Sequence, residues 1–411
     1  MTKTTDDVLD RVLGPVDVER FFESYWERQP LHVARGDGAH FANLLTLSEI
    51  ERLLSSGALS FPDAQLSRSR DPVAPEDYTD GERRIVPSSF IRHHAAGATI
   101  VISQAQRFVG ALGELCRDVQ RRLGMRCQTN LYLSPPESQG FGAHYDSHDV
   151  LILQIGGRKA FRFYAGGPEL PLVHDRFDPA TCVPGAKAEE IPLEAGDTLY
   201  IPRGVMHDAV ASGEAPSLHV TLGLFPTSVH EVLRETLRVA SEREISLRRA
   251  VGERPRVTSG ERRVSIEAGA EPPLADLRAL LDTVFSAENV AEAMSRLRDD
   301  LSMDGLPDCT GSLSRLARQA ELDLDSCIVL RAGAVTGAER EADGLRLRTL
   351  GQVLELRDPM GRAVEPLLDG RRERVGALPG LDDEQRLTLG RRLLRENVVE
   401  IADAAPSDRN E

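Results

Sequence analysis

Hydrophobic and polar positions follow helical spacing in the first part of the chain. Apolar residues recur every three or four positions in VERFFESYWERQP, which stops at Pro30, and in RFVGALGELCRDVQRRLG, which stops at Gly124. Thr46 with Glu49 three residues later is the signature of a capping box at the start of TLSEIERLL. We therefore expect residues 1–60 to be helical and residues 107–124 to form a second amphipathic helix.

The pattern changes between Cys127 and Pro226, where short apolar or alternating runs replace the helical spacing. Turn-forming Gly, Pro and Asp residues separate these runs. The runs are CQTNLYL, DVLILQI, KAFRFY, EEIPL, TLYIP and SLHVTLGLF. Many short strands with turn signals at this spacing are typical of an antiparallel sandwich or barrel.

Helical spacing returns after Pro226. VHEVLRETLRVASEREISLRRAV predicts a long helix, GERPRVTSGERR a polar break, and PLADLRALLDTVFSAENVAEAMSRLRDDL one or two further helices. Beyond residue 306, SCIVLRAG and GLRLRTLGQVLELRD predict short strands, and DDEQRLTLGRRLLRENVVEIA predicts a helix that leads into a strand. This order of elements predicts a small winged-helix-like unit over residues 306–411.

Composition and charge narrow the classes of function. The 411 residues are enough for two or three domains, and the 41% hydrophobic and 28% charged content is that of a globular protein. The net charge of −15 disfavours a general nucleic-acid binder, since phosphate binding needs a basic surface. Residues 306–411 contain 16 arginines and no lysine against 20 acidic residues. That unit is therefore predicted to recognise a partner or to act as a scaffold, without binding nucleic acid.

Cysteine usage and the N-terminus predict the cellular compartment. The five cysteines are odd in number, widely spaced and without a C-x-x-C pair, which argues against a disulfide framework or a zinc knuckle. The first residues lack the apolar core of a signal peptide, and no apolar run approaches membrane-spanning length. We therefore predict a soluble cytoplasmic protein with no membrane partner.

Candidate chemistry is concentrated in FGAHYDSHDV, where His144 and Asp146 form an H-x-D pair. Residues i and i+2 of an extended segment point to the same side, so both side chains can meet at one point. EAGDTLYIPRGVMH supplies a third ligand, His207, 61 residues after Asp146. Two imidazoles and one carboxylate leave open positions on non-haem Fe(II), whereas zinc prefers a closed four-coordinate shell. An H-x-D pair alone is also common in hydrogen-bonded turns, so the downstream stretch decides in favour of a metal.

These stretches carry a family resemblance. NLYLSPPESQGFGAHYDSHDVLILQIGGRKAFRFY, GDTLYIPRGVMH and SLHVTLG resemble the JmjC-type, cupin-like Fe(II)/2-oxoglutarate oxygenases. Within them the chain most resembles the ribosomal oxygenases, which hydroxylate side chains of ribosomal proteins, and FFESYWERQPLHVARG is similar to the entry segment of that family. The resemblance covers roughly the first 230 residues, and the remainder matches only in layout.

The resemblance implies a fold and a domain order. We expect a double-stranded β-helix, also called a jelly roll or cupin fold, with flanking helices over residues 1–228. A helical dimerisation segment over residues 229–305 and a winged-helix-like domain over residues 306–411 would follow. The expected assembly is a homodimer.

The resemblance also implies roles for single residues. His144, Asp146 and His207 match the iron ligands, which also makes them the catalytic residues. Lys159 falls where the family places the base that pairs with the distal carboxylate of 2-oxoglutarate, and a buried carboxylate needs such a cation. The sequence leaves a second interpretation open, in which Lys159 and Arg158 are solvated hairpin residues.

Alternating positions on two strands complete the predicted site. By resemblance Asn130 and Thr221 contact the cosubstrate, whereas Tyr132 and His219 face the substrate. A core aromatic role for Tyr132 and a structural role for His219 remain open from the residues alone. Gly223 departs from the family pattern, because some histidine-hydroxylating relatives carry Ser two places after the threonine.

The sequence thus predicts an enzyme with Fe(II), 2-oxoglutarate and O2 as cofactor and cosubstrates. Its predicted reaction is hydroxylation of a protein side chain, His or Arg of a ribosomal protein. One alternative is the same iron chemistry on a peptide or natural-product scaffold. The other is a cupin that binds a partner without catalysis.

Overall fold

The computed structural model describes residues 7–248, 254–257, 264–267, 274–304, 309–349 and 351–402. The chain forms two compact units, Met1–Pro226 together with Asp304–Glu411, and Thr227–Met303. The three-domain division given above stays a prediction.

The N-terminal part mixes helices and strands in the order α1 (Val8–Leu13), α2 (Val18–Ser24), β1 (Leu31–Val33), α3 (Leu47–Ser55), β2 (Ala64–Ser67), α4 (Pro87–Ala95), β3 (Thr99–Ile102) and α5 (Gly110–Leu123). The capping box of Thr46 and Glu49 is confirmed at α3, and α5 ends at Gly124 with the positive φ of 61° that glycine favours. The expectation that residues 1–60 are entirely helical was wrong at β1. That strand is only three residues long and exists because it pairs with a distant strand, which local periodicity does not record.

The strands that follow are β4 (Arg126–Ser134), β5 (Asp149–Gly156), β6 (Arg158–Tyr164), β7 (Lys187–Glu194), β8 (Thr198–Ile201), β9 (Met206–Ser212) and β10 (Ser217–Phe225). They build two antiparallel sheets, ordered β1-β8-β5-β10-β4-β3-β2 and β7-β6-β9. The predicted double-stranded β-helix is confirmed, and every predicted strand between Cys127 and Pro226 is present. The prediction missed β9, because MHDAVAS has neither an apolar run nor a clean alternation.

Opposite faces of the larger sheet bury different cores. Leu131, Leu151 and Val220 face the helices α1, α2 and α5 in one apolar cluster. Val150 and Ile152, of the other parity on β5, face the smaller sheet in a second cluster. Because both faces are covered, β5 is a nearly continuous apolar run. The inward face of each strand lines the space between the two sheets, where polar side chains are costly unless they are functional or paired.

The unit Thr227–Met303 contains α6 (Val229–Arg243), β11 (Arg254–Val257), β12 (Val264–Glu267), α7 (Leu274–Val284) and α8 (Ala287–Met303). The helices were predicted, whereas β11 lies in the segment predicted to be a polar break. Arg243 joins α6 to Asn289 of α8 with a hydrogen bond of 2.7 Å. Three side chains on α6 at i, i+4 and i+8 stay exposed: Val229, Leu233 and Leu237.

The C-terminal part contains α9 (Ser312–Ala317), β13 (Cys327–Leu330), β14 (Val335–Glu341), β15 (Gly344–Thr349), β16 (Gln352–Arg357), α10 (Met360–Leu368), β17 (Glu373–Arg374), α11 (Asp383–Arg395) and β18 (Val399–Ile401). Its sheets have the orders β17-β13-β18 and β14-β15-β16, and they share one apolar cluster with α10 and α11. The helix predicted to lead into a strand corresponds to α11 followed by β18. The winged-helix description stays a prediction.

Within the described ranges, none of the helices combines the length and apolar character required to cross a lipid bilayer.

Candidate metal centre and its cavity

Backbone pairing brings together two histidines that are 63 positions apart in the sequence. The N–H of His144 donates to the carbonyl of His207 at 2.9 Å, and the N–H of His207 donates to the carbonyl of His144 at 2.7 Å. This isolated antiparallel bridge lies between the segment that precedes β5 and the start of β9. Both imidazoles are therefore positioned by the backbone before any metal binds.

A glycine turn places the third ligand candidate. The N–H of Gly204 donates to the carbonyl of Asp146 at 2.9 Å, so the Pro-Arg-Gly turn before β9 supports the H-x-D segment. Gly204 has a φ of +85°, and a Cβ at that position would lie 2.0 Å from the carbonyl oxygen of Pro168. Only glycine fits there without moving the turn.

The three side chains converge on one point. Their potential ligand atoms lie within 4.8 Å of one another, and Nε2 of His207 is 3.8 Å from Oδ2 of Asp146. Nδ1 of His144 is 2.9 Å from the carbonyl of Gly142, and Nδ1 of His207 is 2.9 Å from the carbonyl of Val205. These contacts fix each ring and leave Nε2 free for a metal, as is usual for histidine ligands.

Electrostatics favour the protonation states that a metal requires. Burial lowers the pKa of His207 to about 4, and the neighbouring His144 lowers it further, so the imidazole is neutral and can bind a metal. Burial works to raise the pKa of Asp146, but the imidazoles of His207, His144 and His148 outweigh that effect and lower it. A carboxylate and two neutral imidazoles are therefore available at neutral pH.

Lys159 lies in the same cavity and is 4% exposed, which excludes the interpretation of this residue as a solvated hairpin side chain. Its amine donates to Oγ of Ser134 at 3.1 Å, and that oxygen also accepts the hydroxyl of Thr99 at 3.0 Å. Burial lowers the pKa of Lys159 to about 7. Among the described residues, no carboxylate pairs with this amine. A buried, unpaired amine is costly, and an anionic ligand would remove that cost.

Tyr132 and His219 face each other across β4 and β10. Their rings stack with centroids 4.7 Å apart and planes 5° apart, and both line the cavity. Burial lowers the pKa of His219 well below its ordinary value, and the charge of Lys159 adds to this effect. Nδ1 of His219 is buried and has no hydrogen-bond partner among the described residues. A polar atom of a bound ligand could satisfy it.

The remaining predicted residues take different places. Thr221 lines the cavity, whereas Asn130, its register partner on β4, does not. The Asn130 side chain instead hydrogen-bonds with Tyr132 and accepts the N–H of Gln104 at 3.1 Å. The structure thus brings the metal-ligand candidates together with Lys159, Tyr132, His219 and Thr221, and leaves Asn130 behind them.

Sequence reasoning missed several residues of this cavity. Ser134 follows Asn130 and Tyr132 at the same two-residue spacing on β4, so extending the alternation by one step would have found it. Thr99, Phe141 and Phe161 carried no comparable signal, because they come from separate segments that only the fold brings together. The cavity combines apolar walls with a small set of convergent polar groups, as ligand sites do.

The fold and the site define a cupin-type domain with a two-histidine, one-carboxylate centre beside a buried cation. Residues 102–232 match the family model described as the JmjC domain, so this part of the chain is a JmjC domain.

Curated relatives share the same description. The chain is 28% identical over 305 residues to a protein of Aedes aegypti named bifunctional lysine-specific demethylase and histidyl-hydroxylase NO66, covering 72% of this chain and 48% of that protein. It is 29% identical over 262 residues to the protein of the same name from Dictyostelium discoideum, covering 59% of this chain and 48% of that protein. The chain therefore spans about half the length of these relatives.

Solved structures support the fold along nearly the whole chain. The ribosomal oxygenase YcfD from Escherichia coli is similar with a TM-score of 0.55 at 17% identity, covering 95% of this chain and 99% of that one. A structure of YcfD in complex with cobalt and 2-oxoglutarate is similar with a TM-score of 0.54 at 17% identity and the same coverage. At this identity the likeness concerns the fold alone.

Proposed function

We propose that the protein is an Fe(II)- and 2-oxoglutarate-dependent hydroxylase that acts on a His or Arg side chain of a ribosomal protein. One observation carries the proposal. The triad of His144, Asp146 and His207 shares a cavity with Lys159, a buried amine without a carboxylate partner among the described residues. A metal ligand set and an anion-binding cation in one cavity are the two requirements for a chelating dicarboxylate cosubstrate.

The donor set fits the proposed metal. Two neutral imidazoles and one carboxylate on one side of an ion form the facial arrangement of non-haem Fe(II) sites, and the other coordination positions face the cavity. Bound iron, with 2-oxoglutarate and O2, supplies the oxidation that inserts one oxygen atom into a substrate C–H bond, while 2-oxoglutarate is converted to succinate and CO2.

The protein's own residues supply binding, orientation and a dry site. The Lys159 ammonium, held by Ser134, pairs with the distal carboxylate of 2-oxoglutarate. Thr221 lines the same wall and contacts the cosubstrate, and Asn130 acts through its hydrogen bond with Tyr132. The stacked rings of Tyr132 and His219 bound the space in which the substrate side chain lies.

The substrate proposal draws on the similar proteins. The curated relatives are named histidyl-hydroxylases, and the similar solved structures are titled ribosomal oxygenases. The net charge of −15 also favours a basic protein substrate over nucleic acid. The proposed location is the cytoplasm.

Mass spectrometry tests the proposal directly. Ribosomal proteins from cells with and without the gene are compared, and a species heavier by one oxygen atom should disappear from the deletion strain. Purified protein with Fe(II), ascorbate and the unmodified substrate should convert 2-oxoglutarate to succinate. Unchanged ribosomal-protein masses, together with succinate formation on a different substrate, would favour iron chemistry on another scaffold. No succinate under any of these conditions would favour a non-catalytic cupin.

We also propose that Thr227–Met303 pairs two chains into a homodimer. The stripe of Val229, Leu233 and Leu237 on α6 supports this assembly, because three apolar side chains at one helical face stay exposed in the single chain. A second chain would cover them.

A further inference from the structure

Two phenylalanine rings from different loops flank one metal-ligand candidate. The ring of Phe141 lies 6.1 Å from the ring of His144, and the ring of Phe177 lies 6.2 Å from it, each measured between centroids. Phe141 lines the cavity and is 40% exposed. It also contacts Tyr132 edge-on, with centroids 6.2 Å apart and planes at 80°. A substrate side chain that approaches the metal centre past His144 therefore meets an aromatic surface.

The position of Phe141 is fixed by its loop. The side-chain amide of Gln139 donates to the carbonyl of Phe141 at 3.0 Å and lies 3.0 Å from Oδ2 of Asp208. Asp208 is buried and accepts two hydrogen bonds from Arg162, at 2.6 and 2.8 Å.

Neighbouring strands hold the same loop from two other sides. The hydroxyl of Ser67 donates to the carbonyl of Gly140 at 2.7 Å, and the N–H of Ala211 donates to the carbonyl of Ser138 at 2.9 Å. A single exposed apolar side chain on a mobile loop needs no explanation. A ring held at the mouth of a cavity by a buried ion pair does, because it cannot fold back into the core.

We propose that Phe141 is a specificity residue that stacks on a planar, nitrogen-bearing side chain, imidazole or guanidinium, as that side chain enters between Phe141 and Phe177. The inference rests on the proposed hydroxylase function and deepens it. Aromatic faces attract guanidinium groups and other rings, whereas an aliphatic side chain gains only its buried area.

The test measures approach to the metal without turnover. The full chain is loaded with Mn(II) and N-oxalylglycine, an unreactive mimic of 2-oxoglutarate, and mixed with three Gly/Ser peptides that differ only in a central His, Arg or Leu. Paramagnetic relaxation by Mn(II) then reports which side-chain protons come near the metal. We expect relaxation of the central His or Arg protons, and not of the Leu protons. The His and Arg peptides separate the two planar groups.

Variants separate stacking from simple apolar contact. Phe141→Leu keeps an apolar side chain without a ring and should weaken binding of the relaxed peptide about three- to tenfold. Phe141→Tyr should retain binding. The matched control is Phe285→Leu, which removes an equally exposed ring (39%) from the unit Thr227–Met303.

Each result bears on a separate claim. Full binding by Phe141→Leu, or equal relaxation of the Leu peptide, overturns the stacking proposal while the hydroxylase function stands. A wild-type protein that does not bind Mn(II), or that never forms succinate from 2-oxoglutarate, overturns both.

Discussion

The guanidinium of Arg203 lies 2.7 Å from the carboxylate of Asp149, and this buried pair joins the two segments that carry the metal-ligand candidates. Asp149 is three residues after Asp146, and Arg203 is four residues before His207. The carboxylate of Asp149 also accepts the hydroxyl of Tyr200 at 2.6 Å, and Arg203 reaches Glu27 at 2.6 Å. The network therefore ties β5, β8 and the segment after α2 to the turn that positions His207.

Breaking this pair should destabilise the protein strongly. Arg203→Met leaves the fully buried carboxylate of Asp149 without its cation, which typically costs about 3–5 kcal/mol of unfolding free energy. Chemical denaturation measures the loss. The double variant Asp149→Leu/Arg203→Met removes both charges and should recover part of it. If the single variant were as stable as the wild type, the pair would not hold the two segments together.

The triad predicts a specific loss of metal binding. His144→Ala removes one of three ligands, so its Co(II) affinity should fall by more than the roughly 10- to 100-fold typical of a lost outer-shell partner. Titration followed by the visible Co(II) absorption bands measures this affinity. His93→Ala, on α4, is the control and should bind Co(II) as the wild type does. Equal Co(II) affinity of His144→Ala and the control would remove His144 from the site.

The fold of the JmjC domain could be predicted further than its cavity. The strands of residues 127–226 were visible because β4, β5 and β10 repeat apolar residues that pack against the helices or the second sheet. His207 was identified from the GDTLYIP stretch before it, although β9 itself has no strand signal. The contact of Phe177 with His144 and the closure of the Arg203–Asp149 pair depend on tertiary pairing between segments, which no periodicity records.

Lys159 predicts a pH dependence of 2-oxoglutarate binding. Burial lowers the pKa of this amine to about 7 in the ligand-free protein, and a bound carboxylate must raise it, because the carboxylate favours the charged form. The affinity is then fully present below pH 7 and falls as the pH rises above 7, by up to about tenfold per pH unit. Calorimetry at several pH values, in buffers of different ionisation enthalpy, measures both the affinity and the linked proton uptake.

Arginine at this position provides the control for that dependence. Lys159→Arg keeps the positive charge at every accessible pH, so its 2-oxoglutarate affinity should lose the slope above pH 7 even where the absolute affinity changes. Lys159→Met should bind 2-oxoglutarate weakly at all pH values. A wild-type affinity that stays flat between pH 6 and 9 would show that Lys159 does not pair with the cosubstrate.

The exposed stripe on α6 predicts the assembly state. Leu233 is 47% exposed, and placing a charge there with Leu233→Glu should convert a homodimer to monomers, because a buried unpaired carboxylate is costly in an apolar interface. Sedimentation velocity at micromolar concentration measures the change. Arg234→Glu introduces the same charge on the neighbouring exposed position of α6 and should leave the dimer intact, since Arg234 lies off the stripe. Succinate formation measured on both variants then shows whether the cavity of the JmjC domain depends on the second chain. A dimer that survives Leu233→Glu would place the interface on another surface of the protein.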